Sequence, residues 1–83
     1  MDCWIGIVQK SDRRVVRVAG RLSVDQVPEL LKACGEGGAV ELDLTDLVSA
    51  DVMGIETLQR IRATGANLVG AAGYIQLKID SPA

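Results

Sequence analysis

Residues 40–70, VELDLTDLVSADVMGIETLQRIRATGANLVG, decide the fold. Val40, Leu42 and Leu44 alternate with Glu41 and Asp43, the period-two pattern of a half-buried strand. From Val52 the period lengthens: Val52, Ile55, Leu58 and Ile61 recur every three residues, as on one face of a helix. Gly65 supplies the positive-φ position that ends such a helix, and residues 66–70 begin another strand. The stretch predicts a β-α-β unit with parallel strands and a right-handed crossover. Its junction, Ala50-Asp51-Val52-Met53-Gly54, brings a carboxylate and the first helical N–H groups to the carboxyl end of a strand.

Outward from this unit, residues 2–9 and 14–19 are apolar and strand-like, and Lys10-Ser11-Asp12-Arg13 between them suits a hairpin turn. A first helix follows over about 25–34, ending at Gly35, and Gly37-Gly38 feeds the strand at 39–44. Ser23 with Gln26 forms a capping box, but a start there leaves Pro28 at the fifth helical position. Asp25 as N-cap, after a loose or 3₁₀-like turn, puts Pro28 among residues whose N–H groups are unpaired anyway, and is preferred. In residues 74–79, Ile75, Leu77 and Ile79 alternate with Gln76 and Lys78, which reads as a strand. A short helix is the alternative, if Tyr74, Leu77 and the stem of Lys78 face the sheet. Periodicity alone leaves the two open.

Eighty-three residues make one domain, 1–83, whose core confers modest stability and would gain from a partner or a weak homodimer. Val16, Val18, Leu30, Leu42, Leu44, Ile55, Leu58 and Leu68 are its expected core. Nine basic and eleven acidic residues give a net charge of −2, against the basic stripe that nucleic-acid binding needs. Arg13, Arg14, Arg17 and Arg21 cluster, but Asp12 and Asp25 flank them and no aromatic interleaves, so they read as a solvated strand face. No apolar run approaches the ~18 residues of a membrane span, and residues 1–10 lack a signal-peptide pattern. A soluble cytoplasmic protein is expected. Cys3 and Cys34 lack metal-ligand spacing and there is no histidine, so both read as reduced thiols, with Cys34 on the apolar stripe Val27, Leu30, Leu31, Cys34.

The residues also carry a family resemblance. GRLSVDQVPELLKAC (20–34), VELDLTDLVSADVMGIETLQRI (40–61) and GANLVGAAGYIQLKI (65–79) together resemble the STAS domain, named for sulphate transporters and anti-sigma-factor antagonists. The shared features are a Gly-x-Leu turn at Gly20-Arg21-Leu22, a strand ending Asp43-Leu44-Thr45, an Asp-x-x-Gly box at Asp51–Gly54 opening a helix, and a later Leu-x-Gly at Leu68–Gly70. The resemblance spans about residues 14–80. It implies a single α/β domain with a mixed four- to five-stranded sheet, helices packed mainly on one face, and residues 74–79 as a third helix.

In the family's antagonists the second hydroxyl of an Asp-Ser-Ser-Gly box is phosphorylated by a partner kinase, which switches partner binding off. A hydroxyl at a helix N-terminus is exposed, and a phosphate there changes the charge of the docking surface. This chain has Val52 and Met53 where the hydroxyls belong, so no phosphorylation is expected at the family position. Ser49, Thr45 and Thr57 are the nearest hydroxyls. Asp51 reads first as an N-cap and second as a docking carboxylate. Met53 is either core packing or an adaptable apolar contact, and Glu56 with Arg60 reads as a solvated i, i+4 pair.

Catalysis finds no support in the sequence: there is no general base among histidines, no activated cysteine and no nucleophile elbow. Gly70-Ala71-Ala72-Gly73 lacks the lysine and length of a phosphate-binding loop. No cofactor is expected. The resemblance implies a non-enzymatic interaction module like an anti-sigma-factor antagonist without the serine switch, binding an anti-sigma factor or sensor kinase through Asp51, Val52, Met53, Gly54 and Glu56. The alternative is an accessory subunit on the cytoplasmic face of a membrane transporter.

Overall fold

The computed structural model describes residues 3–35 and 39–81. β1 (Cys3–Gln9) and β2 (Arg14–Leu22) form an antiparallel hairpin, in unbroken register from Cys3 opposite Gly20 to Gln9 opposite Arg14. The expected turn closes it, with the Lys10 N–H donating to Arg13 O at 2.8 Å. A 3₁₀ turn (Val24–Gln26) leads into α1 (Val27–Cys34). β3 (Val40–Asp43), β4 (Leu47–Ala50), α2 (Val52–Ala63), β5 (Asn67–Val69) and α3 (Gly73–Asp80) follow. Residue 2 of the expected first strand and the Gly37-Gly38 connection lie outside the described residues.

β2 is the spine of a five-stranded mixed sheet. β1 pairs with it antiparallel on one side, β3 and β4 pair with it parallel on the other, and β5 lies parallel to β3. The parallel β3–β5 pair is the one expected of residues 40–70. β4 was not expected, because Leu47–Ala50 is too short to show a period of its own. It forms because β2 does not end at Ala19 but runs on to Leu22. Gly20, at φ 86°, sits at a register shift between Gly20 and Arg21, and the re-aimed strand end takes Ser49 and Ala50 as partners.

Alternation gives the sheet two unlike faces. Val16, Val18, Leu22, Leu42 and Leu47 join Leu30 and Cys34 of α1, Ile55, Leu58 and Ile61 of α2, and Ile75 and Ile79 of α3 in one buried core. Seven of the expected core residues are buried; Leu68, on the short edge strand β5, is half-buried. In the ladder register the other face presents Trp4, Val8, Arg17, Glu41, Asp43 and Val69.

Three local expectations need correcting. Gln26, not Asp25, is the N-cap of α1. The Ser23 N–H and hydroxyl both donate to Gln26 Oε1, at 3.2 and 2.5 Å, and the Gln26 N–H donates to Ser23 O at 3.0 Å. This closes the 3₁₀ turn first, and α1 then begins with Pro28 in its opening turn. Val52 is outside the apolar stripe of α2, at 72% exposed, because the first helical residue overhangs the end of the sheet. Residues 73–80 are helical, as the family resemblance implied, but the helix turns Ile75 and Ile79 into the core, leaving Tyr74 and Leu77 exposed. An i, i+4 pair of isoleucines satisfies a strand period and a helical one alike.

Candidate partner-binding site

The four parallel strands direct their carboxyl ends to one edge of the sheet, and the segments that start α1, α2 and α3 leave from that edge. Asp51 organises it. Its backbone is extended (φ −79°, ψ −177°), and Ile55 N–H donates to Asp51 O at 2.9 Å as the first turn of α2 closes. Asp51 Oδ1 accepts the Gly54 N–H at 2.8 Å, the N-cap bond that supplies one otherwise unpaired helical donor. Oδ2 accepts the Val24 N–H at 3.2 Å, and the Asp51 N–H donates to Leu22 O at 3.0 Å. One carboxylate therefore ties the head of α2 to the turn that starts α1. The capping role read from sequence is present, and the crossing bond to Val24 gives Asp51 a second structural task.

The other candidate residues divide by exposure. Val52 and Met53 project into solvent at 72% and 45% exposed, and Glu56 is exposed one turn on. Gly54 is buried: a Cβ there would stand 2.9 Å from Leu22 O and 3.3 Å from Ala50 Cβ, so it lets α2 approach β2 and β4 and offers no surface. Among the described residues Glu56 and Arg60 form no ion pair, and both are exposed on the solvated side of α2.

Beside this ridge lies a cleft of about 310 Å³, lined by Val52, Ile55, Glu56 and Gln59 of α2 and by Lys78 and Ser81 at the end of α3. Its far wall is held by Gln59, whose Nε2 donates to the carbonyls of Lys78, Ile79 and Ser81 at 3.3, 3.0 and 3.1 Å. Arg62 adds bonds to Ile79 O at 3.2 Å and to Asp80 at 2.5 Å. That contact, with Gln76, holds the Asp80 carboxyl below the usual carboxylate range. At its other end α3 is fixed by the Tyr74 hydroxyl, which donates to Val48 O. Sequence reasoning missed the cleft, Gln59 and Arg62. The one available signal was polar and basic side chains placed to meet the unpaired carbonyls of a neighbouring helix end.

Two members of the arginine cluster, Arg13 and Arg17, are ion-paired within the fold, and Arg21 is exposed. Arg13 lies 3.3 Å from Glu41, and Arg17 lies 3.5 Å from Asp43 and 3.9 Å from Asp46. Arg14 donates to Ala33 O at 3.0 Å, at the end of α1. Cys3 and Cys34 are free thiols; burial pushes both up, reinforced by Glu29 at Cys3 and opposed by Arg14 at Cys34. Among the described residues no group of three His, Cys, Asp or Glu could hold a metal ion, and no helix is long and apolar enough to cross a membrane.

No protein-family model and no curated protein matches the sequence. Solved structures do match the fold. An antisigma-factor antagonist STAS domain from Rhodobacter sphaeroides is 20% identical, covering 82% of this chain and 86% of its own, at a TM-score of 0.59. The anti-sigma factor antagonist SpoIIAA in its unphosphorylated form is 16% identical, covering 89% and 79%, at 0.64. The chain has the STAS fold. An uncharacterized protein of the DUF3478 family from Shewanella loihica, with a SpoIIAA-like fold, is 15% identical, covering 87% and 69%, at 0.52.

On this STAS fold the local hydroxyls are all occupied or displaced. Val52 and Met53 fill the first turn of α2. Thr57 is buried at 5% exposed and its hydroxyl donates to Met53 O at 2.8 Å. Thr45 is exposed on the loop after β3 with its hydroxyl on Asp43 Oδ1 at 2.6 Å, and Ser49 is half-buried in β4.

Proposed function

We propose that this chain is a non-enzymatic, cytoplasmic protein-binding module that engages an anti-sigma factor or related sensor kinase through the head of α2, without a hydroxyl switch. The observation that carries the reading is the ridge of Val52, Met53 and Glu56. Two exposed apolar side chains and an acid with no ion-pair partner among the described residues stand at the end of a STAS sheet, beside the cleft lined by Val52, Ile55, Gln59 and Lys78. A flexible methionine adapts to a partner surface, and a flanking acid selects its orientation by charge. The scaffold under the ridge is fixed by Asp51 and Gly54, so the ridge is presented without rearrangement. The proteins of like fold named as antagonists of anti-sigma factors support the choice of partner class.

The test is co-purification of the tagged chain from its own cells, with captured proteins identified by mass spectrometry. An anti-sigma factor or sensor kinase should be enriched with the wild-type chain and lost with Met53→Glu, whose circular dichroism should remain that of the wild type. Recovery of a transport permease instead would establish the accessory-subunit role and end this reading. Undiminished capture by a folded Met53→Glu chain would move the binding site away from α2.

A further inference from the structure

We propose that β1 is a self-association edge, through which two copies of this chain pair antiparallel and join their five-stranded sheets into one. Three observations converge on that strand. First, β1 is an outer strand of the sheet, seven residues long, and among the described residues its backbone hydrogen bonds go only to β2. The opposite edge is blunted: β5 has three residues and β4 four. Natural sheets protect a long edge with a lysine, a proline or a bulge. Cys3–Gln9, CWIGIVQ, contains no charge and no proline, and its register with β2 has no shift. Trp4, Ile7 and Val8 are left 59%, 54% and 47% exposed.

Second, the strand is complementary to itself in one register. Antiparallel pairing about Gly6 sets Ile5 against Ile7 of the other copy and Trp4 against Val8, so that apolar side chains meet on both faces. Lys10 follows this uncharged run. A parallel arrangement would set the two Lys10 side chains side by side, whereas the antiparallel one puts them at opposite ends of the contact. A two-fold axis through Gly6 makes the contact isologous and closed, which limits association to two copies.

Third, Trp4 is already placed for the contact. Its indole lies over Gly6 of its own strand, since a Cβ on Gly6 would collide with the Cη2 and Cζ2 carbons of the ring. With Gly6 facing Gly6 across the axis, the two indoles come side by side over the junction. Aromatic pairs of this kind contribute beyond the area they cover. The seat exists because residue 6 has no side chain.

Trp4 is the sole tryptophan, so its emission reports this contact alone. Sedimentation equilibrium and fluorescence should be recorded on the 83-residue chain over a dilution series from millimolar concentration. The mass should double as Trp4 emission shifts to the blue, both along one binding curve. Ile7→Lys should raise the dissociation constant at least about tenfold, because a charge on an edge opposes pairing. Leu77→Lys, on the outer side of α3, should leave it unchanged. If Ile7→Lys loses the wild-type circular dichroism, Val8→Lys tests the same edge. A monomer at every concentration, a dimer whose Trp4 emission does not move, or equal effects of Ile7→Lys and Leu77→Lys would each overturn the assignment. No partner protein enters these measurements, so they stand apart from the role given to α2.

Discussion

Asp51 and Val24, 27 residues apart in sequence, are joined by a carboxylate that accepts the Val24 backbone N–H with one oxygen while capping α2 with the other. Removing it unpairs two donors on different helical segments. Asp51→Ala should therefore cost about 1–2 kcal/mol in urea denaturation, the upper part of the range for an N-cap. Hydrogen exchange should quicken at the Val24 and Gly54 amides together. Acceleration at Gly54 alone would mean that the crossing bond contributes nothing.

Gly54→Ala sets two effects against each other. Helix propensity favours alanine by ~1 kcal/mol. The added Cβ would meet Leu22 O at 2.9 Å and Leu22 Cγ at 3.1 Å, and that carbonyl is held in place by the Asp51 N–H. The clash is with backbone and should win, with a net loss of about 1–3 kcal/mol. A variant that melts above the wild type would show that β2 yields at Leu22.

Acid stability should depend on Asp43. The Thr45 hydroxyl and backbone N–H donate to its Oδ1 at 2.6 and 3.0 Å, and together with Arg17 they hold its carboxyl below the usual range. A pKa lower in the folded chain than in the unfolded one gives stability that is complete above the unfolded value, ~3.9, and is lost as pH falls through the folded value. The urea midpoint should fall on acidification below about pH 4. In Thr45→Val the Asp43 carboxyl, followed by NMR, should titrate closer to its ordinary value and the acid arm should flatten. An unaltered Asp43 titration would remove Thr45 as the cause.

Gln59 makes a graded prediction at the cleft. Gln59→Ala gives up the donors shared by three carbonyls at the end of α3, a loss of about 1 kcal/mol at a partly exposed site. Gln59→Glu also places a negative charge against the negative end of that helix and should be worse. Thermal melts of the two variants give the order, and a milder glutamate would show that α3 is held from elsewhere.

The sheet was legible where apolar residues repeat long enough to show a period. Val40–Leu44 and Val15–Val18 disclose β3 and β2, and Ile55, Leu58 and Ile61 disclose α2. β4 was hidden because its pairing depends on the shift at Gly20, which is a property of the neighbouring strand. α3 was ambiguous because Ile75 and Ile79 fit either period, and Leu77, exposed in the fold, supplied the misleading third alternation. At the site, Asp51 as a cap was readable from its place before an apolar helix. Its second bond to Val24 was not, since nothing local in sequence reports a contact across 27 residues. Gln59 was invisible for the same reason.

The pairing of β2 with three other strands has a kinetic consequence. The β1–β2 hairpin closes through a short turn and can form in microseconds, whereas β3, β4 and β5 must wait for chain crossovers to bring them alongside. During that interval the hairpin stands with both long sides open: uncharged β1 on one, and Val15, Val16 and Val18 of β2 on the other. A ribosome-bound or freshly diluted chain is thus most adhesive before α1 has docked. Refolding yield should fall with protein concentration more steeply than the stability of the finished molecule suggests.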